Sequence, residues 1–140
     1  MVGRMVVALA SCLDIPEPDL DEPHLLAALA KAGVAARVLA WDDEAVDWDA
    51  PALTVIRSTW NYHRQPERFL DWVSARRDRL LNPPRVVRWN HHKRYLRDLG
   101  EKGIPVVPTL WVPRGEELGH RLVGTGWTDV VVKPAVSAGS

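Results

Sequence analysis

Ala52-Leu53-Thr54-Val55-Ile56-Arg57-Ser58-Thr59-Trp60-Asn61-Tyr62 reads as a buried strand that runs out into a polar and aromatic loop. Thr54, Val55 and Ile56 are β-branched and fit a pleated, covered surface. Upstream, Arg4 to Ala10 has the same character and forms a first strand. Ser11 to Leu20 is a turn with Pro16 and Pro18 and no glycine. Asp21 can cap a helix with Glu22 and Pro23 in its first turn. Leu25, Leu26 and Leu29 give that helix an apolar stripe, and Gly33 ends it. Val34 to Trp41 is a second strand, an acidic loop follows, and Ala52 to Arg57 is the third. A β-α-β-loop-β order implies a small, mostly parallel sheet and an α/β fold. G-x-G-x-x-G is absent, which excludes the Rossmann dinucleotide fingerprint.

Open parallel sheets bind ligands beyond the carboxyl ends of their strands. Arg57 to Tyr62 falls at such an end. Arg57 could clamp a carboxylate bidentately, and Trp60 and Tyr62 could wall a small substrate. The competing reading is a structural turn with an aromatic plug. Ser11 and Cys12 share the edge, but no positioned base accompanies Cys12, which reads as a small core residue.

Downstream, Pro66 opens a helix to about Arg79, with Phe69, Trp72 and Val73 directed to the core. Leu80 to Arg88, with Asn82-Pro83-Pro84, reads as a linker, giving units 1–82 and 83–140. Asn90 can cap a helix from His91 to Lys102 whose inner face carries Tyr95, Leu96 and Leu99, ended by Gly103. Val106 to Val112 reads as a strand, Glu116 to Gly124 as a short helix and Asp129 to Lys133 as a strand. Pro134 then stops the ladder. Ser137-Ala138-Gly139-Ser140 is small enough for its backbone N–H groups to close over an anion, or is a plain tail. On the residues alone, Lys133 reads as a snorkelling surface lysine and Lys93 as a solvated helix lysine. His91-His92 is not a metal pair, because adjacent helical residues diverge by about 100°.

The 140 residues are 46% apolar, enough for a core, and carry no net charge. The charge is uneven. Asp14 to Asp49 holds ten acids against Lys31 and Arg37, and Arg76 to Arg97 holds eight bases against Asp78. Solvated faces explain both; a basic wall facing phosphates would explain the second. Overall neutrality argues against a dedicated nucleic-acid binder. No apolar run approaches the roughly 18–20 residues of a membrane span. Met5 to Ala10 is too short for a signal-peptide core. A single cysteine fits a reducing, cytoplasmic setting. No G-x-S-x-G, C-x-x-C, H-E-x-x-H or Walker motif occurs.

Lys93 within Trp89-Asn90-His91-His92-Lys93-Arg94-Tyr95-Leu96, the Gly103-Ile104-Pro105-Val106-Val107-Pro108-Thr109 turn, and Val131-Val132-Lys133-Pro134 with Ser137 to Ser140 come in a fixed order. That order resembles the first half of an ATP-grasp ligase. Arg57 to Tyr62 further resembles the subgroup that includes the cycloserine-forming cyclo-ligase. Asn61 and His92 stand where that subgroup often has aspartate. The resemblance implies a pre-ATP-grasp α/β domain followed by the beginning of an ATP-grasp domain. It implies ATP contacts by Lys93, Lys133, Ser137, Ala138, Gly139 and Ser140, with the last four as a lid over the β- and γ-phosphates. It implies a small carboxylate substrate at Arg57, Ser58, Thr59, Trp60, Asn61 and Tyr62. In the family an acyl phosphate forms and a nucleophile displaces phosphate. The magnesium ligands lie in the family's C-terminal half, outside this chain, so no catalytic or metal-binding residue is assigned here. The 140 residues alone are expected to be inactive and poorly stable, with Val130 to Val132 exposed. The resemblance also allows a homo-oligomer, while the neutral charge and the absence of a long apolar run point away from nucleic acid and membrane as partners. The alternative is a non-catalytic nucleotide-binding or interaction module.

Overall fold

β1 (Val6–Ser11) is the centre of the sheet, because its Ala8, Leu9 and Ala10 are covered on both faces. In the computed structural model, which describes residues 5–138, β2 (Ala35–Ala40) pairs with one side of β1 and β3 (Leu53–Ile56) with the other. β4 (Leu80–Leu81) adds to β3, giving a four-stranded parallel sheet in the order β2-β1-β3-β4. The α/β class and the parallel sheet are therefore as the sequence indicates. The chain moves outward from β1 in opposite directions to β2 and to β3. The carboxyl ends of β1 and β3 thus flank a topological switch point, where a crevice opens in such sheets.

α1 (Glu22–Lys31) packs against β2. Asp21 occupies its N-cap position, but the side chain makes no capping hydrogen bond. Leu25, Leu26 and Leu29 are half-buried, as the stripe requires. Gly33, at φ +77°, lets the Val34 amide reach back to Leu29 O at 2.9 Å and close the helix.

α2 (Pro66–Ala75) covers the opposite side of the core with Phe69, Trp72 and Val73, and it ends one turn short of Arg79. These side chains meet Ala8, Ala10 and Cys12 of the sheet together with Trp41 and Trp48. Ala8 and Ala10 present little bulk, which leaves room for the indoles. Trp48 lies edge-on to Trp72 at 4.9 Å, and Trp41 edge-on to Phe69 at 5.1 Å. The guanidinium of Arg76 stacks over Trp48 and Trp72 at 5.0 and 4.8 Å, and desolvation lowers its pKa.

The second half departs further from the sequence expectations. The stretch Leu80 to Arg88 is not a plain linker. Leu80 and Leu81 are β4, and α3 (Pro84–Asn90) starts with Pro84 at its first position. Asn90 ends that helix instead of capping the next. The expected His91–Lys102 helix is shortened to α4 (Tyr95–Glu101), because a turn at 91–94 intervenes. α5 (Leu118–Leu122) lies inside the expected short helix. Val106 to Val112 and Asp129 to Lys133 are not strands among the described residues. A strand needs a neighbour to fill its hydrogen bonds, and neither segment pairs with another. Val107, Val131 and Val132 are 80%, 81% and 69% exposed. Among the described residues no helix is long and apolar enough to cross a membrane.

Candidate functional site

The crevice at the ends of β1 and β3 is built by the backbone first. The amides of Arg57 and Ser58 both donate to Ala10 O at 3.0 Å, which turns the chain outward at the switch point. Cys12 is buried there and donates its Sγ–H to Ser58 O at 3.3 Å. That places it in the packing, as its residue type suggests.

Opposite Arg57 stands the proline-containing turn after β1. Asp19 Oδ2 accepts from Ser58 Oγ at 2.6 Å and Arg57 Nη2 donates to Asp19 Oδ1 at 3.3 Å, while Arg57 Nε lies 3.3 Å from Asp19 Oδ2 in an ion pair. Asp21 lies 3.7 Å from Arg57 Nη2. The Asp19 carboxyl is held below its ordinary value chiefly by the Ser58 hydroxyl; partial desolvation opposes this, and the Asp21 amide and Arg57 charge add to it. Asp19 therefore stays ionised below the ordinary carboxylate range, and its pairing is lost only as pH falls through the lowered value. Glu17, Asp19, Asp21, Arg57, Ser58 and Trp60 line a cleft of about 450 Å³.

The six residues from 57 to 62 divide among three places. Arg57, Ser58 and Trp60 line this cleft. Thr59 and Tyr62 line a second one of about 310 Å³, closed by Phe69, Val87, Asn90 and His91. Asn61 lines neither. It is buried, accepts from Trp41 Nε1 at 2.7 Å and donates from Nδ2 to Asp42 Oδ2 at 2.5 Å.

Lys93 is the hub of the other group of candidate residues. Its ammonium donates to Pro134 O at 2.8 Å and to Ser137 Oγ at 2.6 Å, and its amide donates to Ala135 O at 2.8 Å. Desolvation lowers its pKa, and the nearby charge of Lys133 lowers it further. Lys133 itself is exposed and leaves no strand, which corrects the expected position at a strand end. His92 is likewise lowered by desolvation and then by Arg94, His91 and Lys93. The segment thus gathers positive charge beside the loop at 134–137. Ala138 follows that loop, and Gly139 and Ser140 lie outside the described residues.

Residues 7–82, more than half of the chain, match the family described as D-cycloserine synthetase DcsG, N-terminal domain. The chain belongs to this family. The matched span runs from β1 to just past β4 and includes Asp19 and the whole of 57–62. The cycloserine biosynthesis protein DcsG of Streptomyces lavendulae is 39% identical over 101 residues, which are 71% of this chain and 34% of that protein. A crystal structure of D-cycloserine synthetase DcsG superposes with a TM-score of 0.68 at 37% identity, covering 74% of this chain and 35% of that one. The chain spans about a third of the length of these DcsG proteins.

Asp19 and Asp42 were not singled out by sequence reasoning. Their only signal was the acidic run from Asp14 to Asp49. Asp42 also suits an amide at Asn61. Two carboxylates at this distance would repel, whereas the amide donates to one side and accepts on the other. Asn61→Asp should destabilise the fold by about 1–3 kcal/mol at neutral pH, the range for an unsatisfied buried group. The deficit should shrink as acid protonates the introduced carboxyl, whose pKa the neighbour raises. Denaturant melts at two pH values test this, and equal stability at neutral pH would contradict it.

Proposed function

We propose that the chain is the N-terminal portion of an ATP-dependent ligase that joins a carboxylate to an amine or another nucleophile through an acyl phosphate. The observation that carries this reading is the gathering of Lys93 and Lys133 beside the loop at 134–137, in a chain of the DcsG N-terminal domain family. In this reading residues 1–82 are the pre-ATP-grasp domain and 83–140 begin the ATP-grasp domain.

The residues fit a polyphosphate. Lys93 and Lys133 are point charges within electrostatic reach of each other, and small side chains let the backbone approach. When bound, ATP with magnesium supplies the phosphoryl group and offsets its charge, the magnesium ligands lying outside this chain. Lys93 and Lys133 would neutralise phosphate oxygens there, with Ser137 and Ala138 beside them. Arg57 orients the substrate carboxylate. Asp19 fixes its Nε and Nη2, so Nη1 is the nitrogen that a carboxylate meets. Ser58 and Trp60 wall the same cleft. The exposed Val130 to Val132 suit a segment that is covered in a longer protein, and a cytoplasmic homo-oligomer completes the reading.

The test is ADP formation by the full-length gene product with magnesium and a panel of small carboxylates. One carboxylate should stimulate ADP release, and its oxygen-18 label should appear in the released phosphate. A non-catalytic nucleotide-binding module would release no ADP with any of them.

A further inference from the structure

Tyr62 joins the two groups of candidate residues. It opens the short 3-10 turn Tyr62–Arg64 directly after the Arg57–Asn61 loop. Its ring packs against Phe69 at 5.2 Å and lines the second cleft. Its hydroxyl crosses 75 residues of sequence to donate to Ser137 O at 3.0 Å. Burial raises the phenol pKa, so the group stays a donor through the neutral range.

The loop that Tyr62 reaches is the one that covers Lys93. Three hydrogen bonds run from Lys93 to Pro134 O, Ala135 O and Ser137 Oγ. An ammonium has three donors, and two of those on Lys93 already point at protein acceptors. A phosphate can meet that nitrogen fully only when Pro134 O and Ser137 Oγ give way. Tyr62 holds the same loop from the other side.

We infer that Tyr62 latches the Pro134–Ser137 loop over Lys93, so that anion entry at Lys93 requires release of the latch from the 57–62 segment. This rests on the reading of Lys93 as a phosphate-binding lysine. Nucleotide entry then frees the Tyr62 wall of the second cleft, and whatever occupies the 57–62 segment reports on the nucleotide loop. The coupling is reciprocal, because both ligands act on one contact.

The experiment uses the full-length gene product, with ATP titrated into wild type, Tyr62→Phe and Lys93→Ala by calorimetry. Tyr62→Phe keeps the ring against Phe69 and removes only the hydroxyl. It should tighten ATP binding about fivefold, which is about 1 kcal/mol. Without nucleotide, amide exchange at 135–138 should also quicken in that variant. Unchanged or weaker ATP binding by Tyr62→Phe, with Lys93→Ala still weakened, overturns the latch and leaves the nucleotide site standing. Wild-type affinity in Lys93→Ala overturns the nucleotide reading and the latch with it.

Discussion

Replacing Trp72 with alanine should destabilise the fold by about 3–5 kcal/mol, the range for removing a large buried aromatic side chain. Trp72 is 8% exposed and stands where three rings meet: Trp48 at 4.9 Å, Phe69 stacked at 5.6 Å and Trp41 at 6.3 Å. Its removal also takes one aromatic face from the Arg76 guanidinium, leaving a desolvated charge with less compensation. Small domains are stable by only about 5–15 kcal/mol, so this loss approaches the whole. Trp72→Phe should cost far less. Trp72 Nε1 is buried with no hydrogen-bond acceptor among the described residues, so the ring packing is what the site needs. Urea unfolding followed by circular dichroism separates the two variants. A Trp72→Ala change below about 1 kcal/mol would mean that the aromatic cluster is not the core.

The sequence discloses this core in part. Phe69, Trp72 and Val73 follow a helical spacing, and β1 to β3 are apolar runs bounded by turns, so local pattern and final structure agree. Trp48 is not visible in the same way. It sits in an acidic loop and is buried only because α2 brings Trp72 and Arg76 against it. β4 is two residues long and owes its existence to β3, as no local run marks it. α3 did carry a signal, since Pro84 suits the first position of a helix as well as it suits a linker. The valines at 106–107 and 130–132 show the converse. Their β propensity is real, but propensity makes a strand only where a partner edge exists.

The site divides along the same line. The carboxyl end of β3 delivers Arg57 to the crevice, which strand order alone implies. The partner of Arg57 comes from Asp19 in a turn with no periodic pattern, so the pairing is a product of the fold. The resemblance groups Asn61 with the substrate residues at Arg57 to Tyr62. In the structure its side chain is held by Trp41 and Asp42 at the edge of the core and lines neither cleft.

The second large effect concerns the two lysines. Desolvation first and then the charge of Lys133 lower the Lys93 pKa, and no carboxylate pairs with either lysine among the described residues. Two cations gathered in this way are stabilised when an anion arrives, and a polyphosphate offers several charged oxygens. Lys133→Ala should weaken ATP binding by about 1.5–3 kcal/mol, the range for a charge-assisted hydrogen bond. That is about ten- to more than a hundredfold in Kd. Lys93→Ala should act in the same direction, somewhat less, because it also frees the loop at 134–137. Raising the salt concentration should narrow both differences, since partly exposed charges are screened.

The most direct test is therefore a calorimetric titration of ATP with magnesium into the full-length gene product, its Lys93→Ala variant and its Lys133→Ala variant. Measurable binding by the wild type and at least a tenfold loss in Lys133→Ala, with a loss in Lys93→Ala, is the result expected. Equal nucleotide affinity in all three proteins would contradict the assignment of these lysines to a phosphate site.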